Sequence, residues 1–189
     1  MTAYLLDWLN FLGRWIHMIV GIAWVGASFY FIWLDSQLRP CKAEADRDAG
    51  ALGEVWSVHG GGFYHARKYA APPGALPDPL HWFKWEAYST WLSGMFLLTL
   101  IYYVGAEVYL IDPAVQSLSP ALAIAIGVAF IAGGWLFYDL LCRSPLGRHN
   151  GLLTTVLALW VVLAAWGLCQ LFSGRGAFIH FGAMLGTIM

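Results

Sequence analysis

His17 is the only Asp, Glu, Lys, Arg or His between Arg14 and Asp35, in a run of apolar, small and aromatic side chains. An ionisable group in so apolar a stretch is costly unless it faces a bundle interior, a cavity or a ligand. Two chemistries follow. The imidazole can pair with polar neighbours or backbone carbonyls as structural glue, or, kept neutral, it can ligate the iron of a b-type haem. A second axial ligand at matching depth is His180, four residues into the last apolar run. Ile179-His180 repeats Ile16-His17, each with a glycine within four residues. His81 and His149 precede other apolar runs at the opposite end and can at most serve a separate site.

A second group of reactive side chains lies between Glu54 and Tyr69, where His59, His65, Arg67 and Lys68 surround Gly60-Gly61-Gly62. Glycine N–H groups beside two cations form an anion cradle, with His59, Arg67 and Lys68 as its candidate ligands. Trp56, Phe63 and Tyr64 supply faces on which a flat ring stacks. The same glycines also suit a hinge in an ordered loop without catalytic work. The six-residue step from His59 to His65 matches no zinc spacing. Further along, Glu86 opens an apolar stretch with Ser89, Thr90 and Ser93 behind it. It is either a carboxylate acting as proton acceptor or an N-terminal charge favoured by the helix dipole.

The elements that position these groups follow from composition. Of 189 residues, 60% are hydrophobic and 11% charged, too little polar surface for a water-facing globule. A net charge of −1 gives no basic footprint, so nucleic acid is not an expected partner. The expected partner is a lipid bilayer, and about 20 helical residues cross its hydrocarbon core. Uncharged runs predict an all-α integral membrane protein, a polytopic helical bundle of four complete transmembrane helices plus an incomplete fifth. Their approximate bounds are 8–34, 86–106, 118–140, 151–173 and 176–189, all within one membrane domain spanning 1–189. The last run has only 14 residues, roughly 21 Å of helix, and reads as a helix cut within its span.

Asp7, Asn10, Arg14, His17, Gly21, Trp24 and Ser28 recur every three or four residues, an inward-facing stripe on the first helix. Ala121, Ala125, Ala129 and Gly133 form a small-residue ridge for close packing of the third. Asp139 should pair with Arg143 or Arg148. The 35–85 connection carries six Lys or Arg (Arg39, Lys42, Arg47, Arg67, Lys68, Lys84) and the next connection none, which puts loop 35–85 in the cytoplasm and the N-terminus outside. Within that loop, 42–48 is helix-like and polar. Pro72-Pro73 and Pro77-Asp78-Pro79 stiffen the return, and Trp82, Lys84 and Trp85 form an interfacial belt. Cys41, Cys142 and Cys169 are too few and scattered for a disulfide framework.

Two long motifs add a resemblance. Gly53-Glu-Val-Trp-Ser-Val-His-Gly-Gly-Gly-Phe-Tyr64 and Leu80-His-Trp-Phe-Lys-Trp-Glu-Ala-Tyr-Ser-Thr-Trp91 resemble the N-terminal membrane domain of the bacterial membrane-bound urate oxidase (urate hydroxylase) family, and Arg14–Gly26 and Phe178–Gly186 are similar to it as well. The resemblance implies about eight membrane helices followed by a periplasmic cytochrome c domain, of which this sequence carries the first part. It implies residence in the bacterial inner membrane and oxidation of urate to 5-hydroxyisourate, with electrons leaving through cytochrome c. On that reading urate, a planar anion, meets His59, Arg67 and Lys68, and either Glu86 or His65 is the catalytic base. A b-type haem between His17 and His180 would lie on the periplasmic side. The competing classes are a haem-free transporter or channel, with the first-helix stripe as an ion path, and an electron-transfer subunit without substrate chemistry.

Overall fold

Residues 2–74, 76 and 78–189 are described by the computed structural model; Pro77, one of the stiffening prolines, lies outside them. The chain is 68% helical, as an all-α membrane protein requires. Among the described residues, three helices are long and apolar enough to cross a bilayer: Tyr4–Gln37 within α1 (Thr2–Gln37), α5 (Pro120–Arg143) and α6 (Asn150–Cys169). The expected 86–106 span begins as α3 (Trp85–Leu97) and continues as a π-helix (Leu98–Tyr103) before the short α4 (Ala106–Tyr109). The last run forms α7 (Gly174–Ile188).

Two compact bodies share the chain, one of residues up to Ile19 with Tyr88–Met189, the other Val20–Ala87. In the first, α5, α6 and α7 pack around Leu110, Ala123, Leu168, Phe172 and Ala177. Ser119 caps α5 and Pro120 follows at a position where its missing N–H costs nothing. Ser173 caps α7 by accepting from Gly176 N at 3.0 Å and donates to Tyr109 O at 2.8 Å, so one residue joins two helix ends. Trp91 Nε1 donates to Thr187 Oγ1 at 2.9 Å, tying α3 to α7.

Two small-residue rows run along α5, and the structure packs through the one not expected. Ala121, Ala125, Ala129 and Gly133 are exposed, whereas Ala123, Gly127, Ile131 and Gly134 are buried. The choice follows from the facing side chains. A Cβ on Gly127 would lie 2.4 Å from His180 Nε2 and one on Gly134 2.5 Å from Met184, whereas one on Gly133 meets nothing within 4 Å. Asp139 pairs with Arg143 at 2.9 Å, as its spacing predicts.

The second body holds the 35–85 connection, and here the expected ordered loop contains a β-hairpin. After α2 (Glu44–Asp48), β1 (Ala51–His59) and β2 (Gly62–Tyr69) form an antiparallel hairpin. Gly60 and Gly61 turn it, with φ of +58° and +79°, a conformation that suits glycine and matches the twist of the flanking strands. The glycines therefore serve a tight turn and not a loose hinge. Arg39 adds a bridge beside β1: its N–H donates to Glu54 O at 2.9 Å and its carbonyl accepts from Glu54 N at 2.8 Å. Gly53 permits that approach, because a Cβ there would sit 2.9 Å from Arg39 O.

Candidate functional site

Strand alternation sorts the hairpin side chains onto two faces. Glu54, Trp56 and Val58 share one with Phe63, His65 and Arg67; His59, Ser57 and Gly53 share the other with Gly62, Tyr64 and Lys68. Glu54 and His65 are diagonal neighbours across the strands, within reach for long side chains. Their Oε2 and Nε2 atoms are 2.7 Å apart. The second carboxylate oxygen accepts from Lys42 N at 3.0 Å. The Lys42 amide, then the His65 side chain, hold the Glu54 carboxyl below its ordinary value of 4.5, against the opposing effect of burial. An ionised carboxylate only accepts, so Nε2 carries the proton and donates it. Because the folded-state value is the lower one, the Glu54 contribution to hairpin stability is present above about 4.5 and is lost as pH falls through that lower value.

On the same face the Trp56 indole stacks on the His65 ring, centroids 4.2 Å apart and planes 7° from parallel. Nδ1 of His65 makes no hydrogen bond among the described residues, leaving a lone pair on a ring held from the side and from one face. Arg67 is paired with Asp46 at 2.6 Å, and Lys68, on the opposite face, with Asp35 at 2.7 Å. Both cations expected to meet an anion are thus engaged with carboxylates of their own chain.

The histidines of α1 and α7 are held differently. Ser93 Oγ donates to the Ser89 carbonyl at 2.7 Å, so it accepts from His17 Nδ1–H at 2.9 Å. That arrangement fixes the ring and leaves Nε2 without a hydrogen bond among the described residues, the donor pattern of a metal-binding imidazole. His180 is fully buried. Its Nδ1–H donates to Gly176 O at 2.8 Å and its Nε2 accepts from Tyr103 O–H at 3.1 Å, with the α5 backbone at Gly127 directly against that nitrogen. The donor chemistry of His17 fits a haem iron. The His180 side does not fit, since its lone pair is engaged and a helix backbone occupies the space a macrocycle needs. Of the α1 stripe, Asn10, His17, Gly21 and Trp24 are half-buried, whereas Asp7, Arg14 and Ser28 are exposed, so the stripe is only partly inward-facing in this structure.

The sequence model described as urate oxidase N-terminal matches residues 3–189. The chain belongs to the urate oxidase N-terminal family. No curated protein and no solved structure matches it. In this family member the hairpin brings His65 and Arg67 to one face and turns His59 and Lys68 to the other, so the four do not line a single cradle. Glu86 lies on the first turn of α3, half-buried. Sequence reasoning gave no role to Glu54, Asp46, Asp35 or Tyr103. Glu54 is legible in retrospect: the period-two pattern on either side of Gly60-Gly61 is a hairpin signal, and pairing about that turn sets Glu54 beside His65 and Arg67.

Proposed function

We propose that this chain forms part of a membrane-bound enzyme that oxidises urate to 5-hydroxyisourate and passes the electrons to a cytochrome c. The observation that carries the reading is the family match over residues 3–189. The overall change removes two electrons from urate, adds water and releases two protons, so the protein must supply a proton acceptor and an electron exit. His65 is the acceptor: its Nδ1 is unengaged, and its ring lies against Trp56 on an exposed strand face that a planar anion can approach. Glu86, on its own helix, is the alternative base. The urate anion is received on the hairpin face that carries Trp56, His65 and Arg67.

In this reading the protein sits in the bacterial inner membrane with its N-terminus outside and the hairpin on the cytoplasmic side. A b-type haem held through His17 would supply one-electron acceptance on the outer side. The test uses the natural full-length protein in its membranes. Anaerobic urate should be consumed while haem absorbance shifts to the reduced form, and His17→Ala should abolish the b-type part of the reduced-minus-oxidised spectrum. An unchanged spectrum sinks the haem assignment. Haem reduction without urate loss would point to an electron-transfer subunit, and substrate movement across vesicles by a colourless protein would point to a transporter or channel.

A further inference from the structure

His65 differs from the other histidines of the hairpin region in having a dedicated carboxylate. Glu54 is nearly buried, at 7% exposure, and its two oxygens are engaged separately, one accepting the Lys42 amide and the other facing His65 Nε2. The carboxylate cannot swing away without losing the Lys42 contact. Its backbone is held as firmly, paired through both N–H and C=O with Arg39 on one side and laddered with Arg67 on the other. Trp56 then limits tilt of the imidazole by stacking at 4.2 Å. A hairpin that needed only a cross-strand staple would have no use for a second oxygen fixed from outside the hairpin.

We propose that Glu54 is a positioning residue: it receives His65 Nε2–H, fixes the neutral tautomer with its lone pair on Nδ1, and stabilises the imidazolium formed when Nδ1 takes a proton from a planar acidic substrate. Charged groups facing the ring are Glu54 itself on β1 and Arg67 on β2, the latter neutralised by Asp46 of α2. Carboxylate and imidazole thus work as an oriented base, the carboxylate staying ionised throughout. This inference rests on the proposed urate chemistry only for the identity of the proton donor.

The experiment takes the detergent-solubilised full-length protein labelled with ¹⁵N in its histidine rings, the His65 signals being assigned by their loss in His65→Gln. The neutral ring should carry its proton on Nε2. Glu54→Gln keeps an acceptor oxygen without the charge, and should let the Nδ1-protonated tautomer of His65 appear beside the Nε2-protonated one. In urate turnover the same variant should lose kcat with KM little changed. A ring protonated on Nδ1 in the unsubstituted protein, an unchanged tautomer in Glu54→Gln, or an activity loss carried by KM would overturn the positioning role. The tautomer is read in the unsubstituted protein, so the test stands even if Glu54→Gln fails to fold. Absent urate turnover alongside the expected ring behaviour would overturn the proposed reaction and sustain the positioning of His65.

Discussion

Two imidazoles in this chain have carefully built surroundings, with opposite results. His180, in the α5–α7 helical body, has both nitrogens committed, one to Gly176 and one to Tyr103, and is sealed from solvent. His65, on the hairpin, has one nitrogen committed to Glu54, one open, and a fifth of its side chain exposed. In an apolar interior a polar group left without a partner is expensive, so satisfying both nitrogens of His180 is what allows it to sit at a helix interface. A half-satisfied ring at the surface keeps water as its alternative partner and retains a usable lone pair. Partner saturation therefore separates an imidazole that holds helices together from one able to exchange a proton.

The largest effect should come from breaking this comparison on its reactive side. His65→Gln in the full-length protein is expected to lower urate turnover by about 10²- to 10⁴-fold, the usual contribution of a general base. Unfolding should be little altered, because Gln can still donate to Glu54. His180→Gln should show the reverse pattern, a clear loss of unfolding stability. Turnover that survives His65→Gln and collapses in His180→Gln with stability intact would invert the assignment and return His180 to the chemistry.

A smaller effect tests the sealed side. In Gly127→Ala the new methyl would start 2.4 Å from His180 Nε2, so either α5 and α7 separate or the ring tilts and drops its Tyr103 contact. Overpacking of this kind costs about 1–3 kcal/mol. Gly133→Ala, on the exposed row of the same helix with nothing within 4 Å, should be neutral or slightly stabilising, since alanine favours the helix over glycine. Denaturant unfolding in detergent reads both. Equal effects at the two glycines would mean that the buried row does not determine how α5 packs.

The comparison also explains what the sequence disclosed. Long apolar runs are set by bilayer thickness, so α1, α5 and α6 could be located from composition. Which row of α5 packs could not, because Ala121–Gly133 and Ala123–Gly134 both offer small residues and only the facing His180 and Met184 distinguish them. His17 and His180 stood out as histidines within apolar runs, but their partners Ser93 and Tyr103 lie 76 and 77 residues away along the chain, beyond any periodicity. The hairpin was hidden for a different reason. Three consecutive glycines suggested slack, whereas two of them hold the positive φ of a tight turn and set the register that joins Glu54 to His65.

The mildest perturbation concerns the base of the hairpin. Lys68 and Asp35 are 2.7 Å apart with side chains 43% and 51% exposed, so the pair is strongly screened by water. Asp35→Asn should cost about 0–1 kcal/mol of local stability, read as faster amide exchange in β1 and β2. The difference from the unsubstituted protein should shrink as salt is raised. The same variant asks what Lys68 is for. A strap loosened at one end leaves KM for urate where it was, because the lysine lies on the face opposite His65. A marked fall in KM would show instead that Asp35 competes with the anion for Lys68, and would restore the lysine to the substrate site despite its position on the other face.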